Sequence, residues 1–511
     1  MKSYLMKKMK YSGIISMHFV LAFVVNPISA AQLNISSTQS MNVLFITIDD
    51  LNNDLGAYGH HLVKSPNIDA LAKKGIRFDK AYSQSPMCTP SRSSFMTGLY
   101  PDQTGIIAHG SHTQMTAHFR DHIPKVTTLP QLFKDNGYFS GRVGKIYHQG
   151  VPNQIGTAGA DDAASWHETI NPIGLDKDVE DKIIAFNEKA LKRQSFGGVL
   201  SFLAIGNDDK AHTDGKVATE TINMIKDHHP DKTGKPFFIG AGFYRPHTPF
   251  VAPKKYFDLY PLDKIKPYIA PKNDRKDIPA IALQDREGQL ALTLNQRKQI
   301  IQGYYAAVSY VDAQVGRVLD ALKQQSLSDN TIVVFLSDHG YELGQHGLWQ
   351  KGSLFEGSAR APLIIYAPNA KGNGSVVTSP VELVDIYPTL AKLAGLVAPE
   401  YLAGKDLTPA LNNVDFQVRK GAYSAILNRN KGDNNQFAFT KIRGHSIRTN
   451  RYRYTEWGEG HFGAELYDHQ NDPQELKNLA DKVSLEGIRI KMKWLLDAAI
   501  EKAQTRIKAI E

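Results

Sequence analysis

The feature that most constrains the fold is an apolar, β-branched run from Val43 to Ile48 that ends directly at Asp49 and Asp50. A run without a polar face is typical of a strand in a sheet that is covered on both sides. A second run, Thr331 to Leu336, ends at Ser337-Asp338-His339-Gly340. The sequence therefore predicts a buried sheet whose strands end in reactive side chains.

Helical and extended segments alternate along most of the chain. A capping Ser65 and first-turn Pro66 begin a helix that Gly75 ends, and an extended segment follows from Ile76 to Tyr82. Further predicted helices are Thr128–Asn136, Leu294–Gln324 and Glu382–Leu396, and further predicted strands are Pro236–Phe243 and Thr331–Leu336. This alternation predicts an α/β fold with a large, mostly parallel central sheet flanked by helices.

The pattern changes near residue 415, where short strand-like pieces appear at Tyr423 to Leu427 and at Ile447 to Thr455. Apolar residues at helical spacing then predict a terminal amphipathic helix: Ile488, Met492, Leu495, Leu496 and Ala499. We predict an N-terminal α/β catalytic domain over residues 41–414. A smaller C-terminal α+β subdomain, with an antiparallel sheet and the terminal helix, is predicted over residues 415–511.

The first thirty residues have the pattern of a secretory signal peptide. Lysines 2, 7, 8 and 10 precede an apolar run from Ile14 to Val25, and small residues follow at Ser29 to Ala31. A membrane-spanning helix needs about 20 apolar residues, and this run is shorter. We therefore expect the signal peptide to be cleaved and the protein to be exported to the periplasm or the medium. Loss of four lysines lowers the formal net charge from +9 to +5, which suits an anionic substrate but not nucleic acid.

The strand ends also predict a metal site. Asp49, Asp50 and Asp338 would repel one another at one sheet edge unless a cation lay among them, and their hard oxygen atoms favour Ca²⁺ or Mg²⁺. The alternative is that Asp49 and Asp338 only cap loops.

Cys88 is the single cysteine in the 511 residues, which excludes an intramolecular disulfide and a thiolate zinc site. In the segment Cys88-Thr89-Pro90-Ser91-Arg92, either Cys88 or Thr89 can cap a helix, Pro90 suits its first turn, and Gly98 ends it. The cysteine then lies at a helix N-terminus, which attracts anions. A lone buried cysteine is otherwise inert core filler.

Cys-X-Pro-Ser-Arg followed by a glycine-terminated helix resembles the signature of the type I sulfatases. Further matches follow the family's order: Asp49-Asp50, Gly144-Lys145-Ile146-Tyr147-His148, Arg245-Pro246-His247, Ser337-Asp338-His339-Gly340 and Lys351. The resemblance covers nearly all of residues 41–480 and is greatest for iduronate-2-sulfatase-like carbohydrate sulfatases, from whose pattern Tyr341 and Arg245 depart. It implies an alkaline-phosphatase-like sandwich.

The resemblance implies that a formylglycine-generating or sulfatase-maturating enzyme converts Cys88 to Cα-formylglycine. It implies one Ca²⁺, with Mg²⁺ second in preference, held by Asp49, Asp50, residue 88, Asp338 and His339. A hydrated aldehyde would then attack the sulfur of a sulfated carbohydrate, with a 2-O-sulfated uronic acid, or a related sugar of an acidic polysaccharide, as the leading candidate.

The resemblance also implies roles for the remaining basic residues. Arg92, Lys145 and Lys351 would hold the sulfate charge, His247 would protonate the leaving sugar, and His148 would deprotonate the remaining hydroxyl. His109, His112, His118 and His122 are interpreted as loop histidines and not as zinc ligands.

Two alternative functions remain open at this point. The first is a phosphomonoesterase or phosphodiesterase of the same superfamily, for which a serine or threonine nucleophile would be expected. The second is a non-catalytic binder of sulfated polysaccharide whose cysteine is never oxidised.

Overall fold

The computed structural model describes residues 40–108, 118–187, 192, 196–286, 288–430 and 440–511, so the predicted signal peptide lies outside the described residues. Its strands are β1 (Asn42–Asp49), β2 (Ile76–Phe78), β3 (Ala81–Tyr82), β4 (Phe139–Gly144), β5 (Glu168–Ile170), β6 (Ile184–Ala185), β7 (Ser201–Ala204), β8 (Phe237–Pro246), β9 (Phe250–Ala252), β10 (Thr331–Ser337), β11 (Glu342–Leu343), β12 (Trp349–Gln350), β13 (Leu363–Tyr366), β14 (Val376–Val377), β15 (Val381–Glu382), β16 (Gly421–Asn430), β17 (Thr440–Thr449), β18 (Tyr452–Trp457) and β19 (Ala464–Asp468). Its α-helices cover Pro66–Lys74, Cys88–Thr97, Pro101–Thr104, Leu129–Asp135, Leu175–Asp178, Thr213–Asp227, Pro230–Thr233, Lys254–Phe257, Leu294–Gln324, Glu356–Ala359, Ile386–Leu393, Thr408–Asn412 and Glu486–Gln504.

The central sheet has eight strands in the order β14-β2-β13-β10-β1-β8-β4-β5. Strand β1 lies between β10 and β8 and is parallel to both, and β4 is parallel to β8. Strand β13 is antiparallel to its neighbours β10 and β2. The predicted mostly parallel sheet is therefore confirmed, and β10, β1, β8 and β4 end at one common edge.

Side chains of β1 alternate between two apolar cores, which explains why its sequence has no polar face. Val43 and Phe45 belong to the core that also contains Leu390. Leu44 and Ile46 belong to the opposite core, which contains the apolar side of the helix Leu294–Gln324. Both faces of the sheet are thus covered, as expected for a parallel sheet.

The helix Leu294–Gln324 has the predicted bounds, and its start follows from a capping box. The Thr293 hydroxyl accepts from the Gln296 N–H at 3.2 Å, and the Gln296 side chain accepts from the Thr293 N–H at 2.9 Å. Within the described ranges no helix combines the length and the apolar character that a membrane span requires.

Two predicted elements differ from the structure in their bounds. The helix predicted from Glu382 to Leu396 is present but shorter: a 3-10 turn covers Leu383–Asp385 and the α-helix covers Ile386–Leu393. Glu382 itself pairs with Tyr82 in a short parallel ladder, and its carboxylate accepts from the Tyr100 hydroxyl at 2.8 Å. The single strand predicted from Ile447 to Thr455 is instead the hairpin of β17 and β18. Thr449 makes the turn by accepting the Tyr452 N–H at 2.9 Å on its hydroxyl.

The C-terminal region contains the four-stranded antiparallel sheet β16-β17-β18-β19 and the helix Glu486–Gln504. Tyr423, Leu466 and Leu496 from this region join the same apolar core as Val43 and Phe45 of the central sheet. Residues 40–511 form one compact unit, and the domain boundary near residue 415 stays a prediction.

A buried ionic cluster joins the C-terminal sheet to the short helix Glu356–Ala359. We call it the Glu356 network and define it as Glu356, Arg448, Arg453, His469 and Glu475. Arg453 donates from Nη2 to Glu356 Oε2 and from Nε to Glu475 Oε1, both at 2.5 Å. Glu475 Oε2 accepts the Glu356 N–H at 2.7 Å, and Glu356 Oε1 accepts the Tyr82 hydroxyl at 2.9 Å. Every carboxylate oxygen of the network therefore has a partner.

Candidate active site

The common edge of the parallel strands gathers most of the residues that the sequence marked as a site. β1 ends in Asp49 and continues to Asp50, and the chain after β10 supplies Asp338 and His339, that after β8 His247, and that after β4 Lys145. The Thr47 hydroxyl donates to the Lys145 carbonyl at 3.0 Å and fastens the loop after β4 to β1. Strand order alone thus brings these segments together.

Asp50 has a left-handed backbone, with φ of 64°. Its N–H donates to Asp338 Oδ1 at 3.2 Å, and its carbonyl accepts from the Tyr304 hydroxyl at 2.8 Å. Residues with a side chain rarely adopt this conformation, and those that do gather at functional sites. The turn places Asp50 Oδ1 at 3.7 Å from Cys88 Sγ.

Cys88 is the first residue of the helix Cys88–Thr97, so the prediction of a helix N-terminus is correct. The capping residue is Met87, which is extended, and not Cys88 or Thr89. Sγ lies 3.3 Å from both Lys351 Nζ and His339 Nε2. Burial raises the pKa of the Cys88 thiol well above its ordinary range, so the unmodified residue is a thiol and not a thiolate nucleophile.

Asp49 is buried between two cations. Lys145 Nζ lies 2.5 Å from Asp49 Oδ2, and Arg92 Nη2 lies 3.2 Å from Oδ1. Burial acts to raise the pKa of Asp49, but the charges of Lys145 and Arg92 hold that pKa well below its usual range. Asp49 is therefore ionised.

Asp50 is ionised by similar means. Burial opposes its charge, but the charge of Lys351 lowers its pKa, and Lys351 Nζ lies 2.5 Å from Asp50 Oδ1. The other oxygen, Oδ2, is buried without a hydrogen-bond partner among the described residues. Such an orphaned oxygen is unusual and indicates an absent partner.

The Arg92 guanidinium makes its hydrogen bonds to other groups of the protein. Its Nε donates to Asp338 Oδ2 at 2.9 Å, and its Nη1 donates to the carbonyls of Lys145 and Ile146, both at 2.9 Å. With Nη2 directed at Asp49, the guanidinium has all its nitrogen atoms engaged. Arg92 thus orients Asp49 and Asp338, and its contact with sulfate stays a prediction.

His339 and His247 both present Nε2 to the site. Nδ1 of His339 lies 2.8 Å from the Gly340 carbonyl, and Nδ1 of His247 lies 2.7 Å from the Thr248 carbonyl. Because a carbonyl only accepts, each Nδ1 carries the hydrogen and each neutral ring directs a lone pair from Nε2 into the site. Burial lowers the pKa of His247 to about 4.

The donor atoms fit a hard divalent cation. Possible ligand atoms of Asp49, Asp50, Cys88 and His247 lie within 4.8 Å of one another, and so do those of Cys88, Asp338 and His339. Carboxylate oxygens are the donors that Ca²⁺ prefers, and the orphaned Asp50 Oδ2 would gain a partner from such an ion. The inclusion of His247 was not predicted, because the sequence assigned it to proton transfer alone.

The histidines outside this group are placed differently. His148 follows Lys145 in the loop after β4 and pairs its backbone with Ala160, and its role as a base stays a prediction. The His118 ring accepts the Arg120 N–H at 3.1 Å, as befits a loop histidine. His109 and His112 lie outside the described residues.

Arg245 is one of the two residues that depart from the pattern of the iduronate-2-sulfatase-like enzymes, and its charged partner is Asp176. Its Nη2 pairs with Asp176 Oδ2 at 2.8 Å, and its Nη1 donates to the His247 carbonyl at 3.2 Å. Arg245 thus supports the His247 loop. Sequence reasoning missed Asp176, which lies in the short helix Leu175–Asp178 and carries no motif.

Tyr341, the other departure, is buried and stacks on Tyr304 with ring centroids 5.0 Å apart. Arg286, which sequence reasoning also missed, lies beyond Gln350 at the edge of the site and donates to it at 2.5 Å. No local pattern in the sequence marks Arg286.

Strand-end carboxylates surround a helix-terminal cysteine, and comparison with known proteins identifies the class of protein. The chain belongs to the sulfatase family: the family model described as Sulfatase matches residues 41–396. A second model, N-sulphoglucosamine sulphohydrolase, C-terminal, matches residues 344–502. The iduronate 2-sulfatase of Mus musculus is 33% identical over 510 residues, covering 84% of this chain and 86% of that protein. The protein is thus a sulfatase, an enzyme that hydrolyses sulfate esters.

Solved structures share the architecture. A structure described as a 2-O GAG sulfatase superimposes with a TM-score of 0.69 at 23% identity and covers 93% of this chain and 94% of its own. The phosphonate monoester hydrolase of Agrobacterium radiobacter superimposes with a TM-score of 0.71 at 23% identity, covering 90% and 96%. These similarities confirm the predicted fold class.

Proposed function

We propose that the protein is an exported carbohydrate sulfatase that uses a formylglycine made from Cys88 and one Ca²⁺. The observation that carries this proposal is the buried Cys88 at a helix N-terminus, with Lys351 Nζ and His339 Nε2 each 3.3 Å from its sulfur. Burial keeps the thiol protonated, so the cysteine itself is a poor nucleophile. Conversion of Cys88 to an aldehyde, whose hydrate is an oxygen nucleophile, removes that difficulty.

The metal would be held by Asp49, Asp50, residue 88, Asp338 and His339. When bound, Ca²⁺ supplies Lewis-acid polarisation of a sulfate oxygen. Arg92 orients two of these carboxylates through its contacts with Asp338 and Asp49 at 2.9 and 3.2 Å. The backbone carbonyl on Nδ1 fixes the His339 ring so that Nε2 points inward.

Lys351 and Lys145 are the cations that would hold sulfate oxygens. Lys351 Nζ lies between Asp50 Oδ1 and Cys88 Sγ, so it would face a sulfate group placed at residue 88. Burial acts against its charge, but Asp50 raises the pKa of Lys351 above its ordinary value, and the side chain stays cationic. Loss of one such preorganised donor typically lowers the rate about 10²- to 10³-fold.

His247 is the proposed acid for the leaving sugar, and His148 the proposed base for the following step. Burial leaves His247 neutral before substrate binds. A sulfate anion that approaches Nε2 favours the protonated ring and raises its pKa, so the substrate itself would charge the acid.

The proposed substrate is a 2-O-sulfated uronic acid or a related sugar of an acidic polysaccharide. The relative from Mus musculus, which is named iduronate 2-sulfatase, supports a sugar sulfate. The signal-like pattern of residues 1–30 and the mild basic excess of the remaining chain support an exported enzyme with an anionic substrate.

One experiment tests the proposal. The chain is co-expressed with a sulfatase-maturating enzyme, the mass of the peptide containing residue 88 is measured, and release of sulfate, phosphate or phosphonate is followed over a panel of defined esters. We expect conversion of Cys88 and the highest kcat/KM for a sulfated uronic acid. A higher kcat/KM for phosphate or phosphonate esters would favour the phosphatase-like alternative, and an unmodified thiol without turnover would favour the non-catalytic binder.

A further inference from the structure

A cavity of about 270 Å³ adjoins the segment that carries Lys351. Its wall combines apolar and polar side chains, from Phe186, Asn187, Val199, Leu200, Arg286, Gln289 and Leu292. A mostly apolar wall with a few polar groups is typical of a pocket for a small organic ligand.

Arg286 forms the side of this cavity that faces the active site. Its Nη1 donates to Gln350 Oε1 at 2.5 Å, and its Nη2 donates to the Lys351 carbonyl at 3.1 Å. Lys351 in turn reaches Cys88 Sγ with its side chain. The guanidinium is close enough for its charge to interact with Asp50 and Cys88. Arg286 therefore connects the cavity, whose wall it helps to form, to Gln350 and Lys351 at the active site.

The other side of the cavity is tied to the His247 loop. Gly198, in the cavity wall, accepts from Arg286 Nη1 at 3.4 Å, and the neighbouring Gly197 carbonyl accepts from the Thr248 hydroxyl at 2.9 Å. Thr248 directly follows His247, the proposed acid for the leaving sugar. A sugar with its sulfate ester at residue 88 would therefore have this cavity beside it.

The charge of Arg286 has no carboxylate partner among the described residues. Its three hydrogen bonds go to neutral oxygens, and an arginine has five N–H donors, so two remain, including the one on Nε. Burial lowers the pKa of Arg286 more than nearby groups such as Asp50 raise it. The buried Arg92, Arg245 and Arg453, by contrast, each pair with a carboxylate.

We propose that Arg286, with Gln289 beside it, binds a second anionic group of the substrate sugar, either a uronic acid carboxylate or a further sulfate. An arginine fork recognises both groups by paired hydrogen bonds. Gln289 Nε2 donates to Gln350 Oε1 at 3.1 Å and so helps to hold the wall on which Arg286 rests. This inference rests on the proposed carbohydrate sulfatase function and adds the feature of the sugar that the enzyme selects.

The test uses the converted, full-length enzyme and its Arg286→Met and Arg286→Lys variants. The substrates are a 2-O-sulfated uronic acid, its carboxyl methyl ester, a monosulfated and a disulfated hexosamine, and an aryl sulfate without a second charge. We expect Arg286→Met to lower kcat/KM for the preferred anionic sugar about 30- to 100-fold, mainly through KM, as loss of a charged binding contact does. The aryl sulfate should change less than about threefold, and Arg286→Lys should lie between the two.

The substrate pairs identify the anionic group. A wild-type preference for the acid over its methyl ester that Arg286→Met abolishes assigns a carboxylate, and a preference for the disulfated sugar that is lost in the same way assigns a sulfate. Equal losses on every substrate, the aryl sulfate included, would show that Arg286 only supports Lys351 and would overturn the proposal. So would a wild-type enzyme without either preference.

The control variant is Arg275→Met, in the same segment, whose guanidinium pairs with Asp285 at 2.6 Å. It should keep the wild-type preference. Unsulfated glucuronate should inhibit aryl sulfate hydrolysis by the wild type and by Arg275→Met but not by Arg286→Met, and uncharged glucose should inhibit none of them. Hydrolysis of no sulfate ester at all would refute the proposed function, whereas aryl sulfate hydrolysis without inhibition by glucuronate and without anionic preference would refute only the subsite.

Discussion

Two buried ionic clusters in this molecule have similar side chains and different properties. One is the active-site cluster of Asp49, Asp50, Cys88, Asp338 and His339, and the other is the Glu356 network. Each contains possible metal-ligand atoms that lie within 4.8 Å of one another, those of Cys88, Asp338 and His339 in the first and those of Glu356, His469 and Glu475 in the second. In the Glu356 network every carboxylate oxygen is paired. In the active-site cluster Asp50 Oδ2 has no partner among the described residues.

Proximity of acidic and histidine side chains therefore does not by itself identify a metal site. Arg453 lies between Glu356 and Glu475 and supplies the positive charge that a cation would supply. The active-site cluster combines an orphaned oxygen, a left-handed Asp50 and a residue, Cys88, that can become a nucleophile. We therefore assign the proposed chemistry to the active-site cluster. The Glu356 network holds two parts of the chain together.

The largest expected effect follows from Cys88→Ser, which changes only the nucleophile of the active-site cluster. The serine keeps one hydroxyl, so it can attack sulfur, but it lacks the second hydroxyl needed to expel sulfate. Turnover should stop at about one equivalent per enzyme, and the peptide containing residue 88 should gain the mass of a sulfate group. Released alcohol and peptide mass are measured together. Multiple turnovers near the wild-type rate would contradict the formylglycine mechanism.

The second prediction separates the two clusters by their response to calcium. Chelation should abolish activity and lower the melting temperature, because a ligand at 100 times its Kd stabilises the folded state by about 2.7 kcal/mol. Asp338→Asn should lose this calcium-dependent rise in melting temperature. Glu475→Gln should melt at a lower temperature but keep the full calcium effect. Equal calcium effects in both variants would show that the ion does not bind at Asp338.

The third prediction concerns the Glu356 network alone. Arg453→Met removes the cation that Glu356 and Glu475 share. Removal of one partner from a buried ion pair typically costs about 3–5 kcal/mol, and we expect about 3 kcal/mol here because Arg448 and His469 remain beside the two carboxylates. The free energy of unfolding in urea should fall by that amount, while the folded fraction keeps its kcat. The control is Arg451→Met, because Arg451 is largely exposed beside Asp468 and its ion pair is screened by water. Similar losses in the two variants would rule out a special role for the network.

The smallest effect is expected for Glu465, a buried carboxylate whose hydrogen-bond partners are neutral. It accepts from Trp457 Nε1 at 2.7 Å and from the Tyr467 hydroxyl at 2.9 Å. Burial raises the pKa of Glu465 to about 7. Because the folded-state pKa lies above the unfolded value of about 4.3, its stabilising contribution is complete below about pH 4 and is lost as pH rises through 7.

Glu465→Gln should therefore remove part of the fall in melting temperature that the wild type shows as pH rises from about 5 to about 8. Thermal unfolding of both proteins across this range measures the effect. Parallel pH profiles would mean that Glu465 does not titrate differently in the folded and unfolded chains.

Much of the fold and the site followed from local patterns in the sequence. Thr293 and Gln296 form a capping box, which is a motif of neighbouring residues that can be read from the sequence. The start of the helix Leu294–Gln324 was therefore predictable. Asp49 and Asp338 lie at the ends of β1 and β10, which are parallel neighbours. Ligands of such sheets bind beyond the carboxyl ends of the strands, so the two aspartates were expected to lie together.

The parts that were missed depend on distant partners. Arg453 and Glu356 are 97 positions apart, and neither lies in a motif that signals the other. The helix predicted from Glu382 begins only after that residue, because Glu382 pairs with Tyr82 and accepts from the Tyr100 hydroxyl, 282 positions earlier. Arg286 depends in the same way on the packing of Gly198 and Gln350 around it.

The single cysteine also allows the proposed maturation of the chain to be measured. Because Cys88 is the only sulfhydryl in the sequence, the proposed oxidation to an aldehyde would leave an unfolded chain with none. A colorimetric thiol titration in denaturant therefore reads the unconverted fraction directly, without digestion or mass spectrometry. The same reagent should react slowly with the native protein, in which Cys88 is 1% exposed. Expression hosts can thus be ranked by how completely they activate this enzyme.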